Sequence, residues 1–442
     1  MSGETVDQIA DRVIAAAVAA TPKGGEVRVV VGREAAANVR FARNEITTGG
    51  ERDETTVNIA VLLGTRQAWT STNQTDAASV AATIERALLM ARLSPEDPET
   101  MPVLPAQTYR PVPPSYDERL AAMGPAERAA VAARAIATGD AKKVQIAGFF
   151  ERHASATAIR TSRNLAAGQR STEASYTVTA RTTDASGSGW AGRETHRLAD
   201  LDDAALAETA VKKALASASP RPIPTGKYTV ILEPQAVAEM LSFLVGAMDR
   251  RAADEGRSYF TGKIGQKLFA GDVSLRSDPF DPLTPAAPFD HEGLALSPQS
   301  WIEGGVAKDL FVSRYWAEKK GLAPTGHHRV HQLSGGTATS TEELLAGVKR
   351  GLLVTRFWYN RMLEPQTVMI TGLTRDGLFL VEDGRITAPV TNFRYNESPV
   401  NVLKTLDGMT KATVRVPMWN GIWHVPAVRA HDFTMASPSA AV

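Results

Sequence analysis

The chain has 442 residues, enough for two or three domains and a large core that needs no disulfide or structural metal. Its 49 Lys+Arg against 48 Asp+Glu leave a net charge of +1, so no whole-molecule field exists to hold a polyanion, and direct nucleic-acid binding is disfavoured. Cysteine is absent, which excludes disulfides, thiolate metal sites, iron–sulfur clusters and Cys nucleophiles.

The first 20 residues lack the basic start, apolar centre and cleavage site of a secretory signal. They read as an amphipathic helix capped by Ser2 or Thr5, with Val6, Ile9, Val13, Ile14 and Val18 close to helical spacing. Strands are expected at 27–31, 38–47, 55–63 and 67–72, followed by a helix over 76–93. A second pass of the same kind has a helix around 125–138, strands at 144–151, 156–162, 174–181 and near 187–191, and a helix over 204–218. Local strings match as well: RFARNE around Asn44 resembles IRTSRN around Asn164, and Trp69 recurs as Trp190. Seven prolines between Pro95 and Pro114 mark an extended connector, and Ser219-Pro220-Arg221-Pro222-Ile223-Pro224 marks a second break. Beyond it, strands are expected at 228–232, 352–359, 367–372, 377–382, 385–390 and 413–416, with Asp383-Gly384 forming a two-residue hairpin turn. No apolar run reaches the roughly 18 residues that a membrane span requires, and a cytoplasmic location is the default expectation.

The expected fold class is therefore α+β. Two α-β4-α-like units, residues 1–94 and 119–218, are joined by the linker 95–118 into one N-terminal domain. A β-rich C-terminal domain, a barrel-like mixed sheet, follows over 219–442.

Residues able to do chemistry are few. There is no GxxxxGK[ST] phosphate loop and no GxSxG elbow. The tract Ser186-Gly187-Ser188-Gly189 reads as a loop rather than a phosphate cradle. His327, His328 and His331 lie within five residues and offer imidazoles to a metal. Their segment contains no carboxylate, and Arg329 places a fixed positive charge among them, so a metal there is the weaker alternative. His291-Glu292-Gly293 has no second His at helical spacing and reads as a turn. A helix starting near Pro234 carries Val237, Met240, Leu241 and Leu244 on an apolar face, with Glu239 as an isolated carboxylate facing solvent or pairing with Arg250 or Arg251. The run Arg356-Phe357-Trp358-Tyr359-Asn360-Arg361 is an aromatic and arginine cluster of the kind found in partner- or substrate-facing surfaces. Strand alternation would send Phe357 and Tyr359 to one face and Arg356, Trp358 and Asn360 to the other. A core strand with one polar face is the competing reading. The tail 419–426, with His424, makes a weaker case of the same sort.

Several stretches, taken in order, resemble the TldD/TldE (PmbA) metallopeptidase family: 288–293, 310–322, Pro324-Thr325-Gly326-His327, 351–356 and the hairpin 382–390. The resemblance implies a doubled α/β N-terminal half and a β-rich C-terminal half. It also implies that TldD-type members carry an HExxxH helix whose two histidines bind the metal while the glutamate acts as general base. Laid on this sequence, that helix places Ala238 and Phe243 at the histidine positions and Glu239 at the glutamate. A late cysteine used by family metal sites has no counterpart here. The resemblance thus points to the TldE (PmbA) type: no catalytic residues and no cofactor in this chain, with zinc or iron on a TldD-like partner. The implied assembly is a heterodimer enclosing an unfolded or precursor peptide, bound as an added strand. The alternatives are a self-sufficient amide or peptide hydrolase using His327, His328 and His331, or a regulator of gyrase or of an antitoxin acting indirectly through proteolysis.

Overall fold

Thr5 starts the first helix with a reciprocal cap. Its hydroxyl accepts from the Gln8 N–H at 3.2 Å, and its own N–H donates to the Gln8 side-chain oxygen at 2.8 Å. The structure, a computed structural model, describes residues 4–439; the alternative cap, Ser2, lies outside them. Helix α1 (Val6–Ala20) buries Val6, Ile9, Ala10, Val13 and Ala17. It is followed by β1 (Glu26–Ala42), β2 (Glu45–Leu63), β3 (Arg66–Thr72) and α2 (Ala77–Leu93). After the linker and the short α3 (Glu118–Ala121), the pattern repeats as α4 (Pro125–Lys142), β4 (Val144–Thr161), β5 (Ala166–Thr182), β6 (Ser188–Thr195) and α5 (Asp203–Ala216).

The two units share one antiparallel sheet in the order β3-β2-β1-β4-β5-β6, joined by β1 against β4 from Arg28↔Thr161 to Phe41↔Gly148. Each unit has three strands, two long and one short, where four were expected. The polar and small stretches 32–37 and 152–155, which look like breaks, are held in extended form by pairing on both sides. The chain instead reverses at Asn44 and Asn164, both left-handed at φ 61° and 63°, a conformation that Asn tolerates. The recurrent tryptophans take equivalent edge strands with opposite fates. Trp69 on β3 is 72% exposed, whereas Trp190 on β6 is 6% exposed because the second half of the molecule covers that edge. The proline-rich linker straps the halves together: Val103 N–H donates to Glu26 at 2.7 Å, and Tyr109 donates to the Gly293 carbonyl at 2.7 Å.

The second half opens with β7 (Gly226–Leu232) running straight into α6 (Pro234–Gly246), then α7 (Arg250–Asp254). Next come β8 (Ser274–Ser277), β9 (Gln299–Glu303), β10 (Val306–Ala307), α8 (Arg314–Lys320), β11 (Val330–Ser334) and α9 (Thr341–Ala346). The remainder is β12 (Arg350–Glu364), β13 (Met369–Glu382), β14 (Arg385–Pro389), β15 (Phe393–Glu397), α10 (Pro399–Lys404), β16 (Leu406–Met409), β17 (Val414–Val416), β18 (Ile422–Val425) and β19 (Val428–Pro438). Strands β12, β7, β19, β15 and β13 close into a five-stranded mixed barrel, because β13 also pairs with β12. Closure leaves no free edge within the ring. Its interior holds the fully buried rings of Phe357, Tyr395 and Phe433, with centroids 4.4–5.7 Å apart. A second sheet, β10-β9-β8-β11-β18-β17, packs alongside. Asp383 and Gly384 both have positive φ, 48° and 78°, as the hairpin turn between β13 and β14 requires. Among the described residues no helix is long and apolar enough to cross a membrane.

Candidate functional site

Helix α6 stands where the barrel, the second sheet and β6 meet. Pro234 occupies its first turn, where a missing N–H costs nothing, and Ala236, Val237, Ala238, Met240, Leu241 and Leu244 are buried. The other face carries Glu239, Ser242 and Phe243, each half-buried. Glu239 keeps some accessible surface but lies deep in the protein. It pairs with neither Arg250 nor Arg251, which instead bind Asp254, Glu99 and Glu255. One of its oxygens accepts from Gln235 Nε2 at 3.0 Å, and the other from the backbone N–H of Phe357 at 2.6 Å. Burial pushes its carboxyl up to about 7, against the pull of Arg356 and these two hydrogen bonds.

A charged and aromatic network surrounds this carboxylate. The Arg356 guanidinium lies 5.0 Å from the Trp190 ring and 5.3 Å from the Trp358 ring, and Arg375 lies 4.7 Å from Trp358 on β12. Both arginines stand 3.8 Å from Asp376, which is buried and accepts from Ser188 Oγ at 2.5 Å. Arg356 Nε, Gln235 Oε1 and Thr355 Oγ1 are buried without a hydrogen bond. In the sequence, Ser188 reads as part of a loop tract and Trp190 as part of the repeat, neither with a site role, and Asp376 carries no signal. The duplicated tryptophan was the one signal available.

The segment 356–361 does not alternate. A bulge between Trp358 and Arg361, with Tyr359 at φ 57°, breaks the ladder with β13. Phe357 is a core ring, so it is not a surface candidate, and Tyr359 does not share its face. Asn360 turns inward and accepts from the Tyr395 hydroxyl at 2.8 Å. Trp358 and Tyr359 are exposed, and so is Arg361, which sits over the Tyr359 ring at 4.3 Å. His424 lies on the other sheet, hydrogen-bonded to Thr413 at 3.1 Å, and its pKa is lowered by burial.

The three clustered histidines face three different surroundings. The His327 ring meets His291 edge to face at 6.1 Å, and the His328 ring meets Trp301 at 5.6 Å. His331 lies in strand β11, with its ring 4.5 Å from Trp423. Burial lowers His328 to about 4 and His331 to about 3, so both are neutral core rings. Among the described residues no three His, Cys, Asp or Glu are placed to hold a metal ion. On α6 the donor set does not fit a catalytic metal either. Ala238 and Phe243 offer no ligand atom, which leaves Glu239 as the one donor of the three, where a catalytic metal takes about three protein ligands.

A doubled antiparallel α/β sheet docked on a closed mixed barrel, with a carboxylate-bearing helix at the junction, defines the class of protein. The family models of the PmbA/TldA metallopeptidase match this chain three times: domain 1 at 25–91, the central domain at 109–218 and the C-terminal domain at 225–437. The chain belongs to the PmbA/TldD metallopeptidase family. It is 27% identical over 185 residues to the metalloprotease PmbA of Escherichia coli O157:H7, covering 41% of this chain and 40% of that protein. It is 23% identical over 233 residues to a metalloprotease of Methanothermobacter thermautotrophicus, covering 50% of each. The matches thus span half or less of these curated relatives. The structure of TldE from Thermococcus kodakarensis shares the fold, with a TM-score of 0.88 at 19% identity over 97% of this chain and 100% of that one.

Proposed function

We propose that this chain is the non-catalytic subunit of a TldD/TldE-type heterodimeric metallopeptidase that cleaves unfolded or precursor peptides. The observation that carries the reading is α6: in a metallopeptidase family member this helix presents Ala238, Glu239 and Phe243, a set in which two of three side chains lack any ligand atom. The zinc or iron would reside on a TldD-like partner carrying HExxxH, and this chain would complete the wall of a shared, cytoplasmic substrate channel. The half-open α6 face, with exposed Trp358, Tyr359 and Arg361 on β12, supplies the aromatic and arginine surface that such a contact favours.

The test is to mix the purified chain with an HExxxH-bearing family subunit and follow association, metal content and cleavage of an unstructured peptide. The expected result is a one-to-one complex in which this chain contributes no metal and cleavage exceeds that of either subunit alone. Peptide hydrolysis by this chain alone, abolished by chelation, would overturn the reading.

A further inference from the structure

A cleft of about 400 Å³ opens at the end of the barrel where β7 and β12 begin, beside the bulge in β19. Strand β7 turns Val230 and Leu232 into the core, so Thr229 points to the opposite face, half-buried. In β19 the register slips between Ala430 and Phe433, with Asp432 at φ 58°, and the bulge sets His431 against Thr229. Thr405 Oγ1 fixes the His431 backbone, accepting from its N–H at 3.2 Å and donating to its carbonyl at 2.8 Å. The His431 ring bridges two side chains: Nδ1 lies 3.0 Å from Thr229 Oγ1, and Nε2 lies 2.9 Å from Asp407 Oδ2. Burial of Asp407 is outweighed by hydrogen bonds from Arg429 and His431, which hold its carboxyl below the ordinary value. An ionised carboxylate can only accept, so Nε2 carries the proton and Nδ1 is left to accept from the Thr229 hydroxyl. Arg429 fixes Asp407 in turn, with Nε at 2.7 Å and Nη2 at 3.1 Å. Among the described residues of the cleft wall, Lys227 and Arg350 form no ion pair and Asp432 is the one carboxylate. Glu382 and Asp383 border Arg350 from a separate hollow, outside the cleft.

We propose that Asp407, His431 and Thr229 form a metal-independent acyl-transfer site that hydrolyses a small ester bearing an anionic group. Carboxylate, imidazole and hydroxyl in a hydrogen-bonded row are the parts of a nucleophilic triad, which is defined by geometry and roles on any fold. Thr229 Oγ1 attacks the acyl carbon as its proton passes to His431 Nδ1. The alcohol leaves with that proton, and the acyl group stays on Thr229 as an ester. Water then attacks the same carbon and gives a proton to Nδ1, which returns it to Thr229 Oγ1 as the carboxylic acid departs. Asp407 is a positioning residue, holding the ring and its tautomer. Lys227 and Arg350 supply positive charge to the developing oxyanion and to the anionic group of the substrate. The site uses no metal and no residue of α6, so it stands apart from the partner-subunit reading.

The experiment uses the full chain alone in excess EDTA, with p-acetoxybenzoate and its methyl ester as probes. Saturable release of p-hydroxybenzoate above the buffer rate is expected, with a lower KM than for the methyl ester. The more reactive donor p-nitrophenyl acetate should leave an acetyl group on Thr229, located by peptide mass spectrometry. Thr229→Val, close in shape, should bring hydrolysis down to the buffer rate, while Thr229→Ser keeps the hydroxyl and retains activity. His431→Gln should lower kcat about a hundredfold or more, and Asp407→Asn should lower kcat with KM unchanged. Replacing both Lys227 and Arg350 by Met should raise KM for p-acetoxybenzoate several-fold and spare the methyl ester. No hydrolysis in EDTA would overturn the proposal, and so would undiminished hydrolysis by Thr229→Val or acetyl on other residues alone. Equal KM values for the two esters would overturn the anionic substrate. Peptide cleavage by the mixed subunits should not respond to Thr229→Val, so each reading fails or stands on its own measurement.

Discussion

At Glu239, burial opposes ionisation more strongly than Arg356, Gln235 and the Phe357 N–H favour it, and Asp376 adds to the opposition. The folded chain therefore holds this proton up to about pH 7, whereas the unfolded chain releases it near the ordinary value of 4.5. Folding takes up a proton between those values, so the stability contributed by the protonated group is complete below the lower one and is lost as pH rises to the upper. Glu239→Gln cannot ionise, and Gln235 can turn its unpaired Oε1 to receive the new amide. The variant should match the parent near pH 5 and exceed it in urea midpoint at pH 8, while the activity of the complex stays nearly unchanged. Parallel midpoints across that range would sink the idea. His331 works with the opposite sign. Its pKa of about 3 against an ordinary 6.5 means that stability is lost as pH falls below 6.5. His331→Phe, which keeps a ring against Trp423 and forgoes a nitrogen that lacks a partner, should flatten part of the acid-side decline in a denaturation series. Sequence spacing can suggest which residue types occupy a position. It cannot supply the desolvation that sets these values, because that comes from elements folded over them.

Among the elements, β6 and α5 approach at backbone distance. A Cβ on Gly189 would lie 2.2 Å from the Ala210 carbonyl oxygen and 2.4 Å from the Ala214 nitrogen, both in the helix backbone. Gly189→Ala must lift α5 from the sheet, and overpacking of this kind costs about 1–3 kcal/mol or more. Gly32 on β1, with open space around its Cβ position, is the control and should be near neutral. Chemical denaturation of the two variants checks the pair, and equal midpoints would show that α5 yields freely. The Ser186–Gly189 tract was read as a loop, yet it runs from a turn into β6, and its glycines answer to α5. The capped helices, the Asp383-Gly384 hairpin and the duplication were legible because their signals are local: a cap, a period, a turn chemistry. The three-strand count was not, since a polar stretch such as 32–37 stays extended only through the ladders on either side. The bulge at Tyr359 was hidden for the same reason, because register belongs to a pair of strands and to neither sequence alone.

Across the whole molecule, polar pins join the halves, among them Ser188 to Asp376, and Arg415 on β17 to Glu194 on β6 at 2.8 Å and Glu173 on β5 at 3.1 Å. Partners so far apart in the chain leave no trace in the sequence. Arg415 and Glu194 are both buried, and burial together with Glu173 pushes Glu194 upward while Arg415 pulls it down. Such a pair gains little net stability over an apolar one, since desolvation offsets attraction, but removing one partner strands the other. Arg415→Met would leave Glu194 buried beside Glu173 with no cation, a loss of about 3–5 kcal/mol. The loss should be largest at pH 8 and smaller at pH 5, where Glu194 takes up a proton instead of standing charged. It should also uncouple the halves, so that calorimetry of Arg415→Met resolves two transitions where the parent shows one. Combining Arg415→Met with Glu194→Leu removes the stranded charge and should recover most of the stability. If the double variant were as unstable as Arg415→Met at both pH values, the junction would be held by packing around Trp190 and Pro417, and the ion pair would be incidental to it.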